Sequence, residues 1–187
     1  MEIPIHKLAK LFSGHLFAKK AEQDPRSPIA VIFISDISDK ETLQDRPATY
    51  DLATRPKAQH FIQKGDILIQ AKGKARIIYV SRDVPNTIAS SNFIVVRSDP
   101  NQVLGRYLAW ALQQEKIQSV FEKNQQGQNM PTLSIKVVKA LKLDLPSLSK
   151  QRKIVELLET KSNYDKLIQG IQAQYNKLIQ TLAYQTS

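Results

Sequence analysis

The last fifth of the chain carries the clearest pattern of apolar positions. From Lys150 to Leu182, apolar side chains recur every three or four residues, which is the spacing that gathers them on one face of an α-helix. No Pro interrupts the run. The pattern predicts a helix of about 50 Å, too long for a domain of this size to cover. Its stripe occupies the a and d positions of a heptad, where Lys161 is the one exception to the apolar series: Ile154, Leu157, Lys161, Tyr164, Ile168, Ile171, Tyr175, Leu178 and Leu182.

Shorter apolar runs earlier in the chain predict strands. Residues 29–34 form a continuous β-branched run, typical of a buried strand. Residues 64–80 have the pattern of strand, tight basic turn and strand, in which Gly73 supplies the backbone freedom that a hairpin requires. Residues 92–97 and 141–145 predict two more strands.

Two helical segments are predicted between these strands, one that begins at Asp99 and Pro100 and ends near Phe121, and a short one over residues 132–140. Together the patterns predict an α+β fold. Residues 1–146 are expected to form a globular domain with a twisted β-sheet and short helices. Residues 147–187 are expected to form the long coiled-coil-forming helix.

The charge balance narrows the classes of partner. The chain has 27 Lys and Arg residues against 17 Asp and Glu, a net charge of +10. Most of the excess lies before residue 150, so it belongs to the globular part and not to a basic tail. Such a surface is suited to phosphate groups. The same charge would also serve solubility alone, and that alternative stays open.

Several kinds of site are not expected. The absence of Cys excludes disulfides and thiolate metal sites. His6, His15 and His60 are scattered without the spacing of metal ligands, so neither a metal nor another cofactor is predicted. The chain has no apolar run near the roughly 20 residues that cross a bilayer, and it lacks a signal-peptide pattern at Met1. A cytoplasmic location is therefore expected.

One pattern resembles an active site. Asp51, followed later by Gln70-Ala71-Lys72, is similar to a degenerate nuclease core, in which carboxylates hold Mg²⁺ and a Lys lies near the attacked phosphate. Here the second carboxylate is replaced by Gln70, and Lys72 is equally typical of a turn. No catalytic residue is therefore predicted, and a metal-dependent nuclease is kept as an alternative.

Three segments in this order resemble the specificity subunit (S, or HsdS) of type I restriction-modification systems. They are Lys64–Ile69 with the turn that follows, Tyr107–Leu112 with Gln126–Leu133, and Leu141–Pro146 with Gln151–Ile154. The resemblance covers residues 3–182. It implies a target recognition domain that reads DNA bases, followed by a conserved helix. It also implies that methyltransferase subunits, and a restriction subunit where there is one, do the chemistry at the DNA site to which this non-catalytic chain directs them.

The chain departs from the family in one respect. A full-length member resembles a tandem of two such units, with their helices packed antiparallel, whereas this chain carries one unit. The resemblance therefore implies a half-subunit whose helix pairs with that of a second copy. Such a homodimer would suit a bipartite DNA site with a fixed spacer. Lys161 would help to fix the helix register, or it is an ordinary lysine whose charge reaches solvent beside the seam.

Base reading requires paired donors and acceptors on loops that enter a groove. The first candidate is the basic turn around Gly73, and two other basic segments follow it. The amide-rich residues 125–129 are expected to be structural. The candidate DNA-binding residues are Gln70, Lys72, Lys74 and Arg76, then Lys19, Lys20 and Arg26, then Arg46, Arg55 and Lys57. The alternative from another class is a protein-interaction module on a coiled-coil stalk.

Overall fold

Residues 2–17, 22–38, 41–43, 47–52, 55–127 and 130–184 are described by a computed structural model of the chain. The chain divides into two compact units, Met1–Leu148 and Ser149–Ser187. The fold is α+β, as the apolar patterns predict. Within the described ranges, none of the helices combines the length and the apolar character needed to cross a membrane.

The first unit contains ten short strands and three α-helices in its described part, and the second unit is one helix. The strands are β1 (Glu2–Pro4), β2 (Ala9–Ser13), β3 (Glu22–Gln23), β4 (Ala30–Ile32), β5 (Tyr50–Asp51), β6 (Ile67–Gln70), β7 (Ile77–Tyr79), β8 (Thr87–Ala89), β9 (Phe93–Ser98) and β10 (Lys142–Asp144). The α-helices are α1 (Gly105–Leu112), α2 (Glu115–Asn124), α3 (Ile135–Ala140) and α4 (Leu148–Tyr184). Short 3-10 helices occupy Ile5–Lys7, Ile34–Asp36 and Ala58–His60.

A four-stranded antiparallel sheet of order β2–β9–β6–β7 forms the centre of the first unit. All four residues of β6 are buried, because β6 lies between β7 and β9 and is covered on both faces. The β6–β7 hairpin pairs Ile67 with Tyr79 and Ile69 with Ile77. The hairpin predicted for residues 64–80 is therefore present.

Three two-stranded pairs surround this sheet. β1 pairs antiparallel with β10 and joins the start of the first unit to its end. β3 pairs antiparallel with β5, and β4 pairs in parallel with β8. The strand predicted over residues 29–34 is shorter than expected. It ends at Ile32 because the Phe33 amide donates to Asp36 Oδ2 at 2.8 Å and starts a 3-10 helix.

The single helix predicted from Asp99 to Phe121 is wrong, since two helices occupy this stretch. Asp99 does not cap a helix: its carboxylate accepts from the Asn101 amide at 3.0 Å and from Gln102 Nε2 at 2.9 Å, which closes a turn before α1. These hydrogen bonds, with that from Gln102 first, lower the pKa of Asp99. α1 ends at Leu112 and α2 begins at Glu115. At this break, Gln118 Nε2 donates to the carbonyl of Leu112, the last residue of α1, at 2.8 Å.

A buried ion pair fixes the start of β6 against β9. The Asp66 carboxylate has no exposed surface and accepts from Arg97 Nε at 2.8 Å and from an Arg97 terminal nitrogen at 2.7 Å. The Gln63 amide is a third donor, at 2.9 Å. Hydrogen bonding to Asp66 raises the pKa of Arg97. Loss of Arg97 would leave the buried Asp66 carboxylate without its opposite charge, which destabilises a protein by about 3–5 kcal/mol.

A series of six half-buried rings extends from β2 to β5. Consecutive ring centroids lie 5.0–6.2 Å apart, in the order Phe12, His60, His15, Phe17, Phe33 and Tyr50. Edge-to-face contacts of this kind stabilise aromatic clusters. Burial, and then the charge of nearby His60, lower the pKa of His15 from its ordinary value of 6.5.

The lowered pKa of His15 predicts a stability that declines in acid. The unfolded chain binds the proton more readily, so the contribution of His15 is complete above pH 6.5 and is lost as the pH falls through its lower folded pKa. Thermal unfolding between about pH 7.5 and pH 5 should show a smaller decline for His15→Phe, which keeps a ring and removes the titration. His6→Gln, at an exposed histidine, is the control. Equal declines in wild type and His15→Phe would contradict the assignment.

Gly14 lies where the chain leaves β2 and passes closely over the β8–β9 turn. A Cβ atom at Gly14 would lie 2.1 Å from the carbonyl oxygen of Ser90 and 2.6 Å from that of Ala89. Gly14→Ala should therefore lower the free energy of unfolding by about 2–3 kcal/mol, measured by denaturant titration. Gly170→Ala is the matched control, because no atom lies within 4 Å of its Cβ position and alanine favours the helix by up to about 1 kcal/mol. Two variants of equal stability would refute this account of Gly14.

Candidate nucleic-acid interface

The β6–β7 hairpin loop, residues 71–76, presents basic side chains at one end of the four-stranded sheet. Lys72 and Lys74 are exposed and Arg76 is half-buried. Gly73 between them has φ of +74°, in the left-handed region that glycine adopts without strain. The loop therefore holds two lysines on a sharply turned backbone.

Gln70 and Arg76 brace this loop from inside. The Gln70 side chain is buried, and its Nε2 donates to the carbonyl of Lys72. Arg76 Nε donates to Gln70 Oε1 at 2.7 Å, and the Gln70 amide donates to the Arg76 carbonyl at 2.9 Å. The four residues predicted in this turn thus divide into two exposed lysines and a bracing pair. Of the four residues, this placement favours Lys72 and Lys74 as the candidates for contact with DNA.

A second segment braces the loop from outside. Gln125 Nε2 donates to the Gly73 carbonyl at 2.6 Å, and the Gly73 amide donates to the Pro131 carbonyl at 2.8 Å. The Leu133 amide donates to the Ala71 carbonyl at 2.7 Å. Sequence reasoning expected a structural role in this amide-rich stretch but did not identify its target. Gln128 and Asn129 lie outside the described residues.

The end of β2 meets the same end of the sheet. The His15 amide donates to the Ala89 carbonyl at 2.7 Å, and the Ser91 amide donates to the His15 carbonyl at 2.8 Å. The Ala71 amide donates to the Asn92 carbonyl at 2.7 Å, which joins the hairpin loop to the same turn. Lys19 and Lys20, predicted to bind DNA, follow β2 in the chain and lie outside the described residues.

The remaining DNA-binding candidates lie on other segments. Arg26 is almost fully exposed, and its Nε is 3.2 Å from Asp24 Oδ1, so the charge stays at the surface. Arg55 and Lys57 are exposed just before the 3-10 helix Ala58–His60. Arg46 lies outside the described residues. The structure brings Lys72 and Lys74 together on one loop, whereas Arg26 follows β3 in the chain and Arg55 and Lys57 follow β5.

The members of the nuclease-like pattern lie on separate elements of the first unit. Asp51 is part of the β3–β5 pair, opposite Glu22, whereas Lys72 belongs to the hairpin loop of the four-stranded sheet. Across the described ranges, no group of three or more His, Asp or Glu side chains could hold a metal ion. Gln70, the third member of the pattern, is engaged with Arg76.

Helix α4 exposes an apolar stripe within the second unit. The apolar a and d residues from Leu157 onward are exposed, from 39% for Ile168 to 70% for Leu157, and Ile154 is half-buried. Leu167 and Ile179 widen the stripe and are each 61% exposed. Lys161 Nζ lies 3.5 Å from Asp165 Oδ2, one helical turn away. The stripe is the surface from which the sequence predicted helix pairing.

Comparisons with known proteins agree with this architecture. A family model described as the type I restriction modification DNA specificity domain matches residues 3–177. The specificity subunit of the type I restriction enzyme HindI from Haemophilus influenzae is 27% identical over 106 residues, which are 54% of this chain and 23% of that protein.

Two solved structures share the fold. The S subunit of a type I restriction-modification system from M. genitalium is 13% identical, with a TM-score of 0.60 over 87% of this chain and 39% of its own. The HsdS subunit of Thermoanaerobacter tengcongensis is 17% identical, with a TM-score of 0.64 over 93% of this chain and 45% of its own. The chain thus spans less than half the length of these relatives. Because the family model accounts for residues 3–177, the chain belongs to the family of type I restriction-modification DNA specificity domains.

Proposed function

We propose that this chain is a non-catalytic, sequence-specific DNA-binding component of a type I restriction-modification system. The observation that carries the proposal is the family match over residues 3–177, since that family is named for DNA specificity. The net charge of +10 and the exposed lysines of the hairpin loop support it. The chain would act in the cytoplasm, where it directs methyltransferase subunits, and a restriction subunit where one is present, to the recognised site.

The hairpin loop is suited to a DNA groove. Loops held by many hydrogen bonds keep their shape on binding, so they lose little conformational entropy. Lys72 and Lys74 would donate to guanine acceptors or to phosphate oxygens. Arg26, Arg55 and Lys57, which are exposed, would bind phosphates along the flanking duplex. Lys19, Lys20 and Arg46 remain predicted contacts.

Helix α4 would pair antiparallel with α4 of a second copy. It is about 55 Å long, and an exposed apolar stripe of this length is stabilised when another helix covers it. Lys161 can stay at the seam because Asp165 on the same helix balances its charge. A two-fold dimer would present two recognition domains to a bipartite DNA site, with the helix pair as spacer. The polar face of α4 would remain available to methyltransferase subunits.

Charge reversal of the two exposed loop lysines tests the DNA-binding proposal. Lys72→Glu with Lys74→Glu should weaken binding to duplex DNA about tenfold or more at moderate salt, and should lower the slope of log affinity against log salt by about 1–2. Arg76 is left unchanged because it braces the loop. Fluorescence anisotropy over a salt series provides the measurement.

The matched control for this charge reversal is Lys7→Glu with Lys10→Glu. Both residues are exposed and lie at the opposite end of the four-stranded sheet. Because each pair of substitutions replaces two lysines by two glutamates, the net charge of the protein changes equally. Equal weakening by both pairs would reject the hairpin loop as the contact surface. Wild-type protein without salt-dependent DNA binding would favour the protein-interaction module instead.

Two charges on the seam of α4 test the homodimer. Ile168→Glu with Ile171→Glu should convert a dimer to a monomer at micromolar concentration, because unpaired carboxylates would be buried in the apolar seam. Lys166→Glu with Ala173→Glu, both on the opposite face of the helix, should leave the dimer intact. Sedimentation equilibrium gives the mass in each case. A monomeric wild type would exclude pairing with a second copy.

A further inference from the structure

The hairpin loop has its lysines at the surface and its backbone fastened to a distant part of the chain. Gly73 donates its amide to Pro131 and accepts from the Gln125 side chain, 52 residues away, through its carbonyl. We propose that Gln125 is a positioning residue for DNA recognition, which holds loop 71–76 in the shape in which Lys72 and Lys74 meet the duplex. The inference rests on the proposed DNA-binding function.

Gln125 is itself held by the core of the unit. It follows the last turn of α2, and its amide donates to the Glu122 carbonyl at 3.4 Å. α2 is anchored by Phe121, which is fully buried, and by Ile117. The Gln125 side chain therefore fixes the hairpin loop relative to the packed helix α2. It acts through Gly73 and is distinct from the exposed lysines that would touch DNA.

We call the hydrogen bonds from Gln125 and to Pro131 that hold Gly73 the clamp. The conformation of Gly73 explains why a clamp is required. Glycine reaches positive φ without strain, but it also reaches many other conformations, so a loop built around it is not fixed by local sequence. Gln70 and Arg76 brace the start and the end of the loop. The hydrogen bonds from Gln125 and to Pro131 fix its middle, between Lys72 and Lys74.

A clamp of this kind affects two kinds of DNA binding differently. Lysine ammonium groups reach phosphates from many loop shapes, so sequence-independent binding does not require a fixed backbone. Reading base edges requires the loop at one position in a groove. Loss of the clamp should therefore reduce sequence selection much more than it reduces salt-dependent binding to arbitrary duplex DNA.

The test compares Gln125→Leu and Gln125→Glu with Gln126→Leu as the control. Both Gln125 variants remove the donor to the Gly73 carbonyl, one with an apolar and one with an acidic side chain. Gln126 is the adjacent residue, exposed, and pairs with Thr132 through its own backbone, at 3.1 and 2.8 Å. Its substitution therefore keeps the segment in place.

Three measurements are made on the full chain: enrichment of sequences from a duplex pool with a randomised centre, binding to one mixed-sequence duplex over a salt series, and amide hydrogen exchange of residues 71–76. Both Gln125 variants should show about five- to tenfold weaker enrichment of the sequences preferred by wild type. Exchange of the Gly73 amide, which is bonded to the Pro131 carbonyl, should be faster. The salt slope on the mixed-sequence duplex should be unchanged in Gln125→Leu, which adds no charge, and Gln126→Leu should resemble wild type.

Different outcomes test the positioning role of Gln125 and the proposed DNA-binding function separately. Gln125 variants with wild-type enrichment overturn the positioning role, and so do variants that lose selection and mixed-sequence binding in parallel with a lower unfolding temperature. A wild type that enriches no sequence contradicts the proposed function. In that case, faster Gly73 exchange in the Gln125 variants than in wild type would still show that the clamp exists. Unchanged exchange in both Gln125 variants rejects the clamp itself.

Discussion

The central strand β6 depends on a buried polar residue at each end, and both residues are paired with an arginine. Asp66 precedes the strand and is bound by Arg97 of β9. Gln70 ends the strand and is bound by Arg76, the last residue of the hairpin loop. Three apolar residues lie between them, fully buried, and fix the strand in the sheet by hydrophobic packing. The pair at the start secures the register of β6 against β9, and the pair at the end shapes the hairpin loop. Removal of Asp66 would disturb the sheet, and removal of Gln70 would disturb the loop that the sheet presents.

Local patterns in the sequence predicted the parts of the fold that local chemistry determines. The hairpin follows from two β-branched runs around Gly73, and α4 follows from its heptad. The helix break at residues 113–114 could not be read in the same way, because the side chain of Gln118 satisfies the Leu112 carbonyl only once the chain has turned. The end of β4 depends similarly on Asp36 reaching back to the Phe33 amide. In each case a side-chain hydrogen bond that forms only in the folded chain marks the end of the element.

In the candidate interface, too, the local sequence predicts some features, and others depend on contacts that form only in the folded chain. Charge and the position of the turn pointed to Lys72 and Lys74, which are exposed. The sequence could not separate these lysines from Gln70, because strand alternation does not reveal whether an amide at the end of a strand is buried. The partnership of Gln125 with Gly73 spans 52 residues and carries no local signal. The exposed lysines of the loop are thus easier to predict than the side chains that hold the loop in place.

The proposed assembly follows from how little one unit can contact. Two lysines on one loop offer at most a few donors, and each matched base pair contributes only about 1–3 kcal/mol of discrimination. A second unit joined by a rigid spacer adds its contacts without a second association step, because the linked domain is already at high local concentration. This gain requires a spacer that fits the distance between the half-sites. A continuous helix such as α4, with 37 residues and no proline, has the stiffness for that task, whereas a flexible linker would allow many spacings. The length of α4 would therefore contribute to specificity as directly as the loop that meets the bases.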